Sequence, residues 1–131
     1  MIPAPPGTDS IRNDLSRLVS GGKASSSDPD RVAYARDLWP RHQIATRAGN
    51  PAVAPPAVIV WPSNTEELSS VIAYAAARSI PVVPYGAGSG VCGGVLPTTD
   101  TVLIDMKMMR SLKTIDRARL TCDADAGMIG Q

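Results

Sequence analysis

The chain has 131 residues, room for one modest domain that buries about 65–70% of its unfolded surface, and too little for an enzyme with separate cofactor and substrate domains. Hydrophobic residues make up 44% and charged residues 19%, the balance of a soluble globular protein, and a net charge of +1 gives no basic field for nucleic acid. The opening MIPAPPGTDSIR lacks the basic and apolar regions of a signal peptide, and no apolar run approaches the ~18 residues of a membrane span, so no membrane span and a cytoplasmic location are expected.

Thr8, Asp9 and Ser10 can cap a helix in which Ile11, Leu15, Leu18 and Val19 recur at helical spacing and Gly21-Gly22 supplies the stop. This helix is expected to pack loosely or to belong to a partner surface. KASSSDPD, Lys23 to Asp30, is polar and aperiodic and reads as an exposed connector. Arg31 to Pro56 carries breakers at Pro40, Gly49, Pro51, Pro55 and Pro56 and is read as mostly irregular. AVIVW, Ala57 to Trp61, is a continuous β-rich run of the kind that a strand covered on both faces requires. Ser63-Asn64-Thr65-Glu66 matches a capping box, and Leu68, Val71, Ile72, Ala75 and Ala76 then place one apolar face on the sheet. With Pro81 to Tyr85 as the next strand, this is a βαβ unit whose crossover should be right-handed. TVLIDM, Thr101 to Met106, is a further buried strand. SLKTID and LTCDADAG flank a turn at Asp116 to Arg119, with Leu120, Cys122, Ala124 and Ala126 on one face, and read as a hairpin with one wet side. Trp39 and Trp61 are expected to cover the sheet.

Between the last two single strands stands PYGAGSGVCGG, Pro84 to Gly94. Gly88, Gly90 and Gly93 spell the G-x-G-x-x-G dinucleotide fingerprint, but a Rossmann unit needs a helix after the third glycine, and Val95, Leu96 and Pro97 lead within a few residues to a strand. A Walker loop needs lysine and a hydroxyl where Gly94 and Val95 stand. Two readings stay open on the residues alone: a nest of consecutive amides that holds an anion such as a pyrophosphate, and a flexible surface turn. Elsewhere the plain readings prevail. Cys92 and Cys122 have no zinc spacing and read as free packing thiols, so no metal is expected. His42 reads as a surface or packing residue without a nameable orienting partner, and Asp123 and Asp125 read as solvated.

The run from PPAVIVWPSNTEEL through IPVVPYGAGSGVCGGVLP to VLIDMKMMRSLKTID resembles the start of the FAD-binding domain of FAD-linked oxidases, the vanillyl-alcohol-oxidase or PCMH-type superfamily. Within it, RDLWPRH and PYGAGSGVCGG look most like the branch with alkyl-dihydroxyacetonephosphate synthase and the FAD subunits of D-lactate dehydrogenase and glycolate oxidase. The resemblance implies an α+β fold, an incomplete PCMH-type FAD-binding domain: a βαβ unit with short parallel strands, a following β-hairpin, and a preceding N-terminal helix. Residues 1–50 would be the helix and irregular arm, and residues 51–131 the first part of the domain. It implies that Pro84, Tyr85, Gly86, Ala87, Gly88, Ser89 and Gly90 wrap the FAD pyrophosphate, with Gly93 and Gly94 passing close to the cofactor. The loop has no histidine for a covalent tether, so noncovalent FAD is expected. The implied function is the FAD-pyrophosphate-binding portion of an FAD-dependent oxidoreductase acting on a 2-hydroxy acid, with the synthase branch as the alternative chemistry. A non-catalytic nucleotide-binding module and a truncated gene product are the alternatives of another class. On this reading the chain is too short to catalyse alone, and its partners are FAD, a small-molecule substrate in the completed protein, and a complementary subunit if the enzyme is split.

Overall fold

A computed structural model describes residues 7–49 and 53–130. Helix α1 (Thr8–Leu18) leads to strand β1 (Lys23–Ser25), then α2 (Asp28–Tyr34) and α3 (Pro40–Arg47). Strand β2 (Val58–Trp61), helix α4 (Thr65–Ala76), and strands β3 (Val82–Tyr85) and β4 (Val102–Asp105) follow. A 3-10 turn at Met106–Met108 then precedes the hairpin of β5 (Leu112–Asp116) and β6 (Thr121–Ala124). The boundary expected between residues 50 and 51 and the breaker at Pro51 lie outside the described residues.

The main sheet has the order β1-β2-β4-β3, with β1 antiparallel to β2 and the other pairs parallel. The strand–helix–strand unit is therefore present, but β4 lies between β2 and β3. Alternation along the strands divides the core. Val58, Val60, Val102 and Ile104 face α1 and α4, where Leu15, Val19 and Val71 complete one apolar cluster. Ile59, Leu103 and Tyr85 face the other way, toward Tyr34, Trp61 and Val95. Both faces are covered, which is why Ala57 to Val60 is apolar without alternation.

Four local expectations are corrected. Helix α1 does not pack loosely, because Leu15 and Val19 are buried in the core. Most of the polar connector is structured: Lys23 to Ser25 pair with Ile59 to Trp61, and Ser27 caps α2 by accepting from the Asp30 amide, with Pro29 in the first turn. Part of the irregular segment is helical as well, since Pro40 opens α3, where its missing N–H costs nothing. On α4, Val71 and Ala75 are buried while Ile72 is about half exposed, so the packed face is rotated toward Leu68 and Tyr74. A fifth concerns the β5–β6 hairpin: Leu112, Ile115 and Leu120 are all exposed, and neither of its faces is covered by described residues.

The start of α4 shows how the layers are joined. The cap is Asn64, which accepts from the Glu67 amide, one residue later than the predicted box. The buried Glu67 carboxylate accepts from the Ser63 amide (2.8 Å) and hydroxyl (2.9 Å) and from the Gly21 amide (2.7 Å). It thereby pins the turn between α1 and β1. Gly22 beside it has to be bare, because a Cβ there would overlap the Trp61 carbonyl. Burial works to raise the Glu67 pKa, but the Ser63 and Gly21 hydrogen bonds outweigh it and hold it below the ordinary value. A depressed carboxylate stabilises the fold fully above its unfolded value, about 4.3, and that contribution is lost as pH falls through the lower folded value. Glu67→Ala in the intact protein should therefore cost about 2–3 kcal/mol at neutral pH, read by denaturant unfolding. The gap from wild type should narrow in acid, and a gap that widens there would contradict the assignment.

Candidate functional site

In parallel sheets ligands gather beyond the carboxyl ends of the strands, and here β3 and β4 end side by side, with Tyr85 paired to Asp105. The fully buried Asp105 carboxylate accepts from the Tyr34 hydroxyl, the Trp61 indole N–H (3.0 Å), the Lys107 ammonium (2.6 Å) and the Lys107 amide (2.8 Å). Burial, and then the bond to Asp105, push the Tyr34 hydroxyl pKa well up, so it stays a donor. Lys107 reaches onward to the Gly86 carbonyl at 3.2 Å, with its ammonium about 5 Å from the rings of both Tyr34 and Tyr85. The first turn of the glycine loop is thus held by a cation that is itself held by Asp105.

The far part of the loop is held from the connection between α2 and α3. Asp37, 2% exposed, accepts from the amides of Trp39 (3.0 Å) and Gly93 (2.9 Å) and faces His42 Nδ1 at 3.3 Å. Burial opposes ionisation of Asp37, yet the Trp39, His42 and Gly93 hydrogen bonds hold its pKa below the ordinary value. The Leu38 amide donates to the Gly90 carbonyl at 2.9 Å. His42 is therefore a buried residue with a named orienting partner. Trp39 does not lie over the sheet as expected: it stacks edge-on against His42 and borders Gly93. Trp61 does sit on the sheet, in the second core cluster.

Between these clamps lies the segment singled out from sequence. Pro84 is exposed on β3, whereas the Tyr85 side chain is buried and its hydroxyl occupies the place a Gly88 Cβ would take. With φ at +66° as well, Gly88 is required by the chain itself. Gly86, Gly90 and Gly94 have open space where a Cβ would be and no positive φ, so nothing among the described residues explains their bareness. Ala87, Ser89 and Gly90 are exposed. Among the described residues, the amides of Ala87 through Cys92 donate to no acceptor, whereas the Gly93 amide is taken by Asp37. Cys92 and Cys122 are free thiols, as expected, but both are exposed rather than packed. No group of metal-ligating side chains occurs among the described residues. Asp125 is paired with Lys113 at 2.9 Å and Asp123 with the Thr114 hydroxyl at 2.6 Å.

A cavity of about 410 Å³ borders the loop on the α3 side, touching Arg36, His42, Arg47 and Gly88. A second, of about 640 Å³, lies between Gly86–Ala87 and residues 126–130. Sequence reasoning missed the roles of Tyr34, Asp37, Asp105 and Lys107. A carboxylate ending the apolar run Val102 to Ile104 was the available signal, because a buried acid at a strand end needs several donors.

The link between the parallel strands β3 and β4 is a glycine loop without a helix, which sets this mainly parallel sheet apart from a Rossmann unit. The family described as the FAD binding domain matches residues 56–131, and the chain belongs to it. Its cofactor is FAD. Similar proteins include the glycolate oxidase subunit GlcD of Bacillus subtilis, 26% identical over 93% of this chain and 24% of its own length. Alkyldihydroxyacetonephosphate synthase of Caenorhabditis elegans is 32% identical over 90% of this chain and 21% of its own length. A solved structure of an alkyldihydroxyacetonephosphate synthase superposes on 99% of this chain with a TM-score of 0.85 at 23% identity, covering 24% of that chain. The chain thus spans about a quarter or less of these relatives.

The geometry gives an ordered prediction. Asp105→Ala leaves Tyr34, Trp61 and Lys107 facing an empty place and should cost about 3–4 kcal/mol, whereas Tyr34→Phe removes one donor and should cost about 1 kcal/mol. Unfolding midpoints of the two variants in the intact protein check the order, and equal losses would refute the hub.

Proposed function

We propose that this chain supplies the pyrophosphate-binding part of the FAD domain in a flavoenzyme that oxidises a 2-hydroxy acid, with residues 1–50 as the arm and residues 51–131 as the first part of the domain. The observation that carries the reading is the row of unengaged amides from Ala87 to Cys92 beside glycines that the chain does not itself require. Such a row suits the oxygens of a phosphate, and bare Cα atoms allow them to approach. Gly86, Gly88, Ser89 and Gly90 provide the wrap, with Ser89 adding a hydroxyl. Pro84 and Tyr85 set its entry, and Gly93 and Gly94 keep its exit close. Binding is noncovalent, since the loop offers no histidine. FAD, when bound, supplies the hydride-accepting ring; the residues here hold its phosphates and keep the loop in register through Lys107 and Asp37. The hydroxy-acid reading is supported by the names of relatives: glycolate oxidase subunit GlcD, D-lactate dehydrogenase of Archaeoglobus fulgidus and D-2-hydroxyglutarate dehydrogenase of Arabidopsis thaliana. The likeness to alkyldihydroxyacetonephosphate synthase favours a second reading, in which the same domain serves a synthase of that kind. Turnover of glycolate and D-lactate with an artificial acceptor separates the two.

The loop is tested without turnover. Gly86→Val and Gly90→Val in the intact protein should leave the apoprotein's melting temperature near wild type while lowering FAD affinity roughly tenfold or more, because a branched side chain blocks backbone approach. Gly88→Ala should instead destabilise the apoprotein by about 1–2 kcal/mol, since both its left-handed backbone and Tyr85 oppose a Cβ. Undiminished flavin content in folded Gly86→Val and Gly90→Val would remove the loop from the cofactor site.

A further inference from the structure

Two cations border the cavity between Gly86–Ala87 and residues 126–130, and their situations differ. The Lys107 charge is compensated by Asp105, and its ammonium is committed to the Gly86 carbonyl. Arg110 is exposed, and among the described residues it has no carboxylate partner, because Asp125 is paired with Lys113 and Asp116 with Arg119. An uncompensated guanidinium therefore stands at the mouth of a cavity whose opposite wall is the first turn of the glycine loop. Resting on the reading that this loop receives the pyrophosphate, we propose that Arg110 is the counter-charge for a cofactor phosphate and that Lys107 is a positioning residue. Lys107 fixes the Gly86 carbonyl, which turns the following amides toward the same anion. The loop amides supply hydrogen bonds, the guanidinium supplies net charge, and a dianionic pyrophosphate calls for both. Among the described residues no helix follows the loop to supply that charge.

The test is FAD titration of the intact apoprotein, followed by flavin fluorescence at ionic strengths of about 0.01 and 0.15 M. Arg110→Gln should weaken FAD binding roughly tenfold at the lower ionic strength and flatten its salt dependence, with Arg110→Lys keeping most of that dependence. Lys107→Met combined with Asp105→Asn, which removes the compensated pair without changing the net charge, should weaken binding while leaving the salt dependence as in wild type, which loss of a charge contact to FAD would not do. If Arg110→Gln binds FAD like wild type at both ionic strengths while Gly86→Val has lost it, the counter-charge role falls and the loop reading stands. Should Gly86→Val also bind normally, the loop reading falls and the inference with it. A double variant with unchanged affinity removes the positioning role.

Discussion

The Asp105 carboxylate is the group on which the arrangement turns. A charge at zero exposure is tolerated only when hydrogen bonds replace its lost water, and the donors that do so come from separate places: Tyr34 at the end of α2, Trp61 at the end of β2, and Lys107 just beyond β4. Satisfying one carboxylate therefore brings the carboxyl ends of two strands and a helix to a common point. That point sets the height at which the glycine loop departs, because Lys107 passes the constraint on to Gly86. Asp37 repeats the device on the other side, where a nearly inaccessible carboxylate binds Gly93 to α3. The loop is thus held near both ends by buried acids, while Ala87, Ser89 and Gly90 in its middle are exposed.

This layout explains how a parallel connection dispenses with a helix. In a Rossmann unit the helix covers the sheet and offers its N-terminus to phosphate. Here the covering is done on one face by α1 and α4 and on the other by Tyr34, Tyr85, Trp61 and Val95, so the link from β3 to β4 is free to be irregular. What it lacks in aligned dipole it offers as free amides.

Much of this was legible in the chain. Apolar runs gave β2, β3 and β4, and the spacing of Leu68, Val71 and Ala75 gave α4, because burial on two faces and on one stripe leave different periodicities. The misses were of other kinds. Ser27 with Asp30 is a helix start hidden in a serine-rich stretch that looks solvated, and Pro40, by its sequence a breaker, is an opener. The capping box was displaced by one residue because Ser63, Asn64, Glu66 and Glu67 offer two overlapping matches; tertiary demand from Gly21 decided between them. The order of the strands was not readable, since local pattern carries no information about which neighbour a strand takes. Within the site, glycine content pointed to the loop, but it could not separate Gly88, kept bare by Tyr85, from Gly86 and Gly90, which meet nothing among the described residues. The acids that hold the loop lie outside it in sequence, and only folding brings them there.

The placement of β4 between β2 and β3 bears on how the protein is made. A ribosome delivers β1 and β2 early, and they can pair at once. For the twenty residues from Gly86 to Asp105, about one to four seconds of synthesis at 5–20 residues per second, β3 has emerged with its partner still missing. During that interval the nascent chain carries an unpaired apolar strand beside the bare edge of β2, a template for pairing with neighbouring polysomal chains. Pro84 within β3, and Pro81 just ahead of it, leave that segment two donors short for such pairing. Because β3 stays at the edge of the finished sheet, the same two prolines keep that edge short of donors after folding as well.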